Sequence, residues 1–510
     1  MQSTQSDAQI TQSGQAMKIN NNTTHAMKEL FSTTIGPNGT FKGIITPGQT
    51  LTITKNGDIL CKDIQFINPT SIVLTKAASS LYSTYGDGSS TFITLSSEIF
   101  TNSFKYICEG CPVTRVCNGL QVAMSDVSRH IESISVQIND EIFEKLAFNL
   151  LNTKVTKNLA KIAAPLLVKA IKNISQSQFQ DTNMVEIMKM NEGEASDTRY
   201  VEGLVLDHAG RHYAMPTKLD NVVIMVTNMS LEYEKPEITA QFVYSNAQQR
   251  EDLIKHEREF ILAKARAIAA FGTDIKNSTG KSLMVVSEKG IDPFSLEILA
   301  KAGILTLRRA KRRNLERLLY MCGGNIISQV NQLDINNLGY CQRVRTRIIG
   351  EDKYTFIEGT PYKGSCTILV RGSTENQIKR LESAIRASLK ALHLTYLNKK
   401  VVPGGTSFYK NMISYLKSQE DKVDDSILVG YKILQESFTN MIKTLIRNKG
   451  CNIHEELTNV MREKTQEEVY DCLDVVQGVI TNSTIITMSL LMVDEIIKAG
   501  KCIKEEKIEQ

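Results

Sequence analysis

This 510-residue chain contains no run of about 18 apolar residues, so nothing in it reads as a membrane span. Its opening, "MQSTQSDAQITQSGQ", lacks the basic and apolar regions of a secretory signal. The ten cysteines follow no framework spacing, which fits reduced thiols rather than a disulfide scaffold. A net charge of +5 is small for this length and argues neither for nor against a nucleic-acid partner. The seven histidines are dispersed, and none pairs with a credible nucleophile. Neither GxxxxGKS/T nor a strand-led GxGxxG occurs, which excludes a P-loop and a Rossmann phosphate turn. What remains is a cytoplasmic, multidomain protein of ordinary globular composition, 42% hydrophobic and 23% charged.

Residues 1–24, rich in Gln, Ser, Thr and Asn, read as a mobile tail, with order beginning at "THAMKELFSTTIGPNG", a helix stopped by Gly36 and Pro37. Asn56-Gly57 in "LTITKNGDIL" is a hairpin signal between β-prone runs. Helical patterning follows from Thr70 to about residue 180, broken at "GDG" (86–88). The texture then changes. "NVVIMVT" and "SLMVVS" read as buried strands, with an amphipathic helix between them and strand–helix–strand alternation after them. "CTILVRGSTENQIKRLESAIRASLKAL" is a strand, a turn and a helix opened by a Thr374/Gln377 capping box. From about residue 404 the pattern is helical again. A helical, then α/β, then helical order suggests that the α/β part is inserted into a domain built from both chain ends.

The stretch "STYGDGSST" (83–91) sets Asp87 between two glycines, ahead of a helix starting at Ser89, Ser90 and Thr91. A turn feeding a helix aims free N–H groups and the positive end of the helix dipole at its N-terminus, where phosphate is a natural ligand. A carboxylate there would repel phosphate unless a cation stood between them, which makes Asp87 a candidate Mg²⁺ ligand. On its own, GDG before a helix is most often an ordinary turn.

Other motifs decide the matter. "TTIGPNGTFK", "LTITKNGDIL", "YGDGSST", "VEGLVLD", "ILVRGST" and "VVPGG", in this order and at these intervals, resemble the group II chaperonin pattern over nearly the whole chain after residue 24. "KGIDPFSLEILAKAGILTLRRAKRRNLERL" (289–318) and "LLMVDEIIKAG" are similar to the eukaryotic cytosolic chaperonin, CCT or TRiC. The resemblance implies a multidomain α and α/β chaperonin fold. Its parts would be an equatorial ATP-binding domain (1–141 and 404–510), an intermediate hinge domain (142–202 and 359–403) and an apical substrate-binding domain (203–358). The amphipathic segment 247–271 would lead to a lid protrusion. It further implies a double ring of eight-membered rings, with seven other subunit types as partners and non-native clients such as actin and tubulin. Neither membrane nor nucleic acid is expected as a partner.

By the same resemblance, Gly36 and Pro37 should line the ATP pocket, Asp87 should hold Mg²⁺, and Gly88, Ser89, Ser90 and Thr91 should wrap the phosphates. Gly404 and Gly405 should pass close to the nucleotide, Asp494 should approach its ribose, and Lys154 should sense the γ-phosphate. Two departures concern chemistry. Asn56, and in the best ungapped register Asn398, stand where the family has catalytic aspartates. Asparagine is a poor proton acceptor at neutral pH, so the implied subunit binds ATP but hydrolyses it weakly, or is essentially a non-catalytic ring member. Thr406 replaces a smaller residue and should narrow the pocket. Cys108, Cys111 and Cys117 read as free thiols rather than a zinc site. "RRAKRR" (308–313) reads as a solvated basic face. Clients should meet the helix and loop near 289–302, although Phe294, Leu296 and Ile298 cannot all face outward.

Overall fold

The first helix, Gln15–Ser32, begins inside the stretch expected to be a tail. Its buried face is Ala16, Asn20, Thr24, Met27 and Phe31, at helical spacing but with polar side chains at two positions. The Thr70 hydroxyl donates to Asn20 Oδ1 at 2.6 Å, so a packed helix face is disguised by a polar composition. The structure, a computed structural model, describes residues 9–11, 14–45, 51–176, 181–232, 247–462 and 468–498. The rest of the expected tail, at 1–8 and 12–13, lies outside the described residues, as does 233–246, next to the expected protrusion.

The chain divides into two compact units, Met1–Pro165 with Ser383–Gln510, and Leu166–Glu382. Both chain ends therefore build one unit around an inserted one, as the helical–α/β–helical order anticipates.

In the first unit, helices Pro69–Tyr85, Ser89–Cys108 and Val113–Ser133 from the N-terminal part pack with Asp425–Lys449 and Leu473–Leu491 from the C-terminal part. Phe31, Phe92, Phe100, Tyr431 and Phe438 are fully buried in their common core. Burying a large apolar side chain contributes about 1.5–3 kcal/mol, so this shared core holds the two distant chain segments together. A polar contact from Asn440 to Glu98 crosses the same seam. Buried Glu98 pairs with Lys28 at 2.7 Å and accepts from Asn440 at 3.0 Å. Gly119 and Gly430 let two helices touch backbone to backbone, since a β-carbon on Gly430 would lie 2.0 Å from the Gly119 carbonyl carbon.

One local expectation fails. Lys42–Ile45 and Leu51–Thr54 do pair as an antiparallel hairpin, but their connection is residues 46–50, outside the described residues. Asn56-Gly57 is not a hairpin turn. Asn56 caps a short helix, Gly57–Asp63, its Oδ1 accepting the Asp58 N–H at 3.1 Å. Asparagine suits helix caps as well as turns, and here the cap wins.

In the second unit a seven-stranded mixed sheet forms the core. Leu305–Leu307, Ser282–Ser287 and Lys218–Thr227 run parallel, Ile326–Ile327 pairs parallel with the end of Lys218–Thr227, and Gly339–Ile349, Asp352–Glu358 and Gly203–Leu206 continue the sheet antiparallel. Val222–Val226 and Leu283–Val286 are buried throughout, which explains their unbroken apolar runs. The helix between them extends over Ala247–Thr279, with Ala265 and Ile268 buried. A second sheet joins Val185–Met190, Cys366–Arg371 and Arg199–Val201. On the helix Pro293–Lys301, Phe294 is exposed and Leu296 is buried, while Ile298 is half-buried. The basic run is laced with acceptors. Arg309 meets Glu232, Lys311 meets Asp207 at 2.9 Å and Arg312 meets Glu316 at 3.5 Å.

Candidate functional site

The helix Pro69–Tyr85 ends where Gly86, at φ 81°, donates its N–H to the Tyr82 carbonyl at 2.8 Å. Gly88, at φ 92°, then caps the helix Ser89–Cys108. Two left-handed residues around Asp87 reverse the chain between the helices, a conformation that glycine adopts without strain. Because Gly88 has no side chain, the first N–H groups of the second helix receive no side-chain cap and remain available to an anion. Asp87 Oδ1 accepts the Gly88 N–H at 2.8 Å, and Oδ2 accepts Lys154 Nζ at 2.7 Å. Lys154, just past the helix Asp140–Asn152, is only 6% exposed.

These groups open onto a cavity of about 380 Å³, within the usual range of small-molecule sites, roughly 300–1,000 Å³. Gly36, Pro37, Asn56 and Lys154 line it, together with the whole 87–91 turn and helix start. Gly405 and Thr406 close it from the C-terminal part of the chain, Thr406 being the residue expected to narrow it. One end is apolar, formed by Ile446, Val475, Val479 and Ile480, and suits a flat hydrophobic ring. Gly404 adjoins the cavity. A β-carbon there would lie 2.6 Å from Asp471 Oδ2, so glycine is required for that carboxylate to fit.

Asp471 itself carries no signal in the sequence. It reaches the cavity because the strand Tyr470–Cys472 pairs with Lys400–Pro403, setting Asp471 opposite Val402. Its Oδ2 accepts the Gly405 N–H at 3.2 Å. Desolvation pushes its carboxyl up to about 6, against the pull of that hydrogen bond, with Asp87 raising it further and Lys154 lowering it. Sequence reasoning also passed over Lys55, 5% exposed, which lines the same cavity.

Two expected site residues are not brought to the cavity. Asn398 is exposed at the end of the helix Glu375–Asn398, where its Nδ2 donates to both carboxylate oxygens of Asp474 at 2.8 Å. Asp494 is exposed beyond the helix Leu473–Leu491 and is not among the cavity-lining residues. Asn56 is at the cavity, with its amide fully engaged. Nδ2 donates to the Tyr82 hydroxyl and to Ser383 Oγ, both at 3.1 Å, while Oδ1 caps the short helix. The nearby carboxylate, Asp58, pairs with Lys62 at 2.7 Å and does not line the cavity.

The chain matches the TCP-1/cpn60 chaperonin family over residues 27–501, and it belongs to that family. Among individual relatives, it is 30% identical to human T-complex protein 1 subunit zeta-2 over 517 residues, covering 97% of this chain and 98% of that protein. The zeta subunit is also the one that the 289–318 stretch resembles in sequence. The family implies a bound nucleotide with Mg²⁺, and the donor set fits both. Among the described residues no cluster of three or more His, Cys, Asp or Glu is arranged to hold a metal alone. A cation held by one or two carboxylates plus ligand phosphates needs no such cluster. Asp87 offers about four lone-pair sites as a carboxylate, of which two are in use here.

Proposed function

We propose that this chain is a subunit of a hetero-oligomeric, double-ring chaperonin that binds non-native polypeptides and assists their folding in an ATP-driven cycle. The observation that carries the reading is the cavity at residues 87–91, where an uncapped helix N-terminus, a carboxylate–lysine pair and an apolar wall meet. Phosphates would sit at the N–H groups of Ser89, Ser90 and Thr91, and the base against the apolar wall. Asp87 would hold Mg²⁺, which when bound neutralises phosphate charge. Lys154 orients Asp87 and adds a fixed positive charge beside the phosphates. The division into equatorial, intermediate and apical domains, with boundaries at 141, 202, 358 and 403, belongs to the same proposal. So does client contact near exposed Phe294, in a ring that includes seven other subunit types.

Hydrolysis in this subunit is slow. Asn56 is a neutral, non-basic amide whose Oδ1 already accepts the Asp58 N–H, so it does not take a proton from an attacking water. Asp58 does not line the cavity, Asp87 is held by Lys154, Glu456 pairs with Lys449, and Asp471 Oδ2 accepts the Gly405 N–H. These observations favour a second reading in which the chain is essentially a structural and client-contact member of the ring. Native mass measurement tests the assembly: a ring near a megadalton is expected, and a stable 57 kDa monomer with no ring-forming partners overturns it. Turnover by rings whose other subunits are hydrolysis-dead separates the two readings.

A further inference from the structure

The two sheets of the second unit meet over a small core that contains Val201, Val205, Phe356 and Leu369. Strand register fixes which side chains share that face. Arg345 stands opposite Phe356 and Arg347 opposite Tyr354, so both arginines project on the side of those rings. From the other sheet, Arg199 stands opposite Leu369, and Arg371 follows two residues along the Leu369 strand, on the same face. The Arg371 N–H donates to Thr198 Oγ1 at 3.3 Å, which ties the ends of those two strands together. The guanidinium groups therefore converge. Those of Arg199 and Arg347 lie 6.0 and 5.4 Å from the centre of one ring, Phe356, although they come from different sheets.

This cluster lacks acceptors. Among the described residues no carboxylate comes within ion-pair distance of Arg199, Arg345, Arg347 or Arg371, whereas Arg343 meets Asp220 at 3.5 Å. Arg371 Nε is enclosed and makes no hydrogen bond. Lys218, opposite Arg345, adds a fifth cation. Arg199 is held below its ordinary pKa, first by desolvation and then by the charges of Arg371 and Arg347, while Glu358 offsets part of this. The remaining carboxylates nearby are engaged or marginal. Asp197 Oδ2 accepts the Glu194 N–H at 3.0 Å, and Glu192 and Asp352 sit toward the Gly350 turn. Like charges gathered without a counter-ion raise the free energy of the face, and a bound anion relieves that cost.

An arginine fork matches phosphate oxygens in a bidentate manner. Placement then decides the size of the anion. An extended acidic chain or a nucleic-acid strand needs a track of cations, but Arg343 is taken by Asp220 and has Glu358 directly opposite. The arginines without partners gather instead at one end, from three strands around one ring. We propose that Arg199, Arg345, Arg347 and Arg371 bind a compact polyphosphate, whose oxygens bridge guanidinium groups of both sheets. This site belongs to the second unit and stands whatever the cavity at Asp87 holds.

The test titrates the full-length chain with inorganic tripolyphosphate by calorimetry, in Mg²⁺-free buffer at low and at physiological salt. Saturable binding is expected, weakened by salt because the contacts are charge pairs at a surface. Arg199→Gln combined with Arg347→Gln is expected to weaken it at least tenfold, since two charge-assisted contacts are lost. The matching lysine pair, R199K with R347K, keeps charge without the fork and should fall between the two. Lys154→Ala identifies any binding that belongs to the cavity at Asp87. The proposal requires a component that K154A keeps and the glutamine pair loses. Wild-type affinity in the glutamine pair, or no component beyond the one lost in K154A, overturns it. If the double variant does not fold, R347Q alone decides by the same comparison, with a loss of at least threefold expected. A glutamate octapeptide that binds these arginines as tightly as tripolyphosphate overturns the assignment to a compact phosphate ligand.

Discussion

Lys154 Nζ lies 2.7 Å from Asp87 Oδ2, joining the residue after a helix near position 152 to the turn between two glycines. The lysine is 6% exposed and the aspartate side chain 28%, so the pair stands at the wall of the cavity rather than in bulk water. Removing the carboxylate separates what it does for a metal from what the lysines do for phosphate. Asp87→Ala is expected to lower nucleotide affinity in Mg²⁺ buffer by about tenfold or more, roughly 1.4 kcal/mol. In EDTA its affinity should equal or exceed that of wild type, because a negative charge beside the phosphates has gone. Fluorescence titration in both buffers checks this. A loss of equal size in both would show that Asp87 does not act through a cation.

The two asparagines give opposite expectations. At Asn56, aspartate can still cap the short helix, and the Tyr82 and Ser383 hydroxyls can turn to donate to it. Asn56→Asp is therefore expected to fold and to raise ATP turnover by about 10²- to 10⁴-fold, the usual contribution of a positioned base. Asn398→Asp lies outside the cavity and beside Asp474, so turnover should not change. Steady-state phosphate release from rings with hydrolysis-dead neighbours measures both. An increase in N398D but not in N56D would reverse the assignment.

Those two residues also show how much of the site was legible in the sequence. The local geometry at Asp87 was, because one short turn between two helices fixes it, although its reading as a site came from the other motifs and their order. The nested order was legible from the helical, α/β, helical succession, but not its boundaries, which fall inside the helices Lys157–Ile174 and Glu375–Asn398 where the hydrophobic period does not change. Asn398 was misplaced because counting back from "VVPGG" gives a distance along a helix but not the face presented, and the last helical residue here points to solvent. Asp471 was invisible. It joins the site only through strand pairing with Lys400–Pro403, a contact between segments that no local pattern links. Asn56-Gly57 was read as a turn because the same side chain that favours turns also caps helices.

Asp471 makes stability depend on pH in a defined direction. Its carboxyl is raised from 3.8 to about 6 in the folded protein, mainly by desolvation. Below pH 4 both folded and unfolded chains carry the proton. Between about pH 4 and 6 the unfolded chain releases it first, so stability falls as pH rises through that window and stays lower above it. Asp471→Asn can still accept from the Gly405 N–H but has no charge to desolvate. It is expected to be more stable than wild type at pH 7 by up to about 3 kcal/mol, with no advantage at pH 4. Thermal unfolding of both chains across that range checks the prediction, and an advantage independent of pH would sink it.

The Gly119–Gly430 crossing predicts the largest loss of stability from the smallest change. The helices Val113–Ser133 and Asp425–Lys449 meet there with no side chain between them, and the shared core around Tyr431 and Leu120 is fully buried. A β-carbon at position 430 would fall 2.0 Å from the Gly119 carbonyl carbon and 2.4 Å from the Leu120 nitrogen. Backbone cannot rotate away as a flexible side chain can, so the helices must separate and open gaps along their contact. Overpacking of this kind typically costs about 1–3 kcal/mol, occasionally more, and a backbone clash belongs at the upper end. Against this, alanine favours a helix over glycine by about 1 kcal/mol. Gly430→Ala is therefore expected to destabilise the chain by about 2 kcal/mol or more in denaturant unfolding. Asn440→Ala provides a contrast on the same helix, because it deletes one hydrogen bond to Glu98 and should cost only about 1–2 kcal/mol. A G430A protein as stable as wild type would mean that the two helices do not cross at these residues.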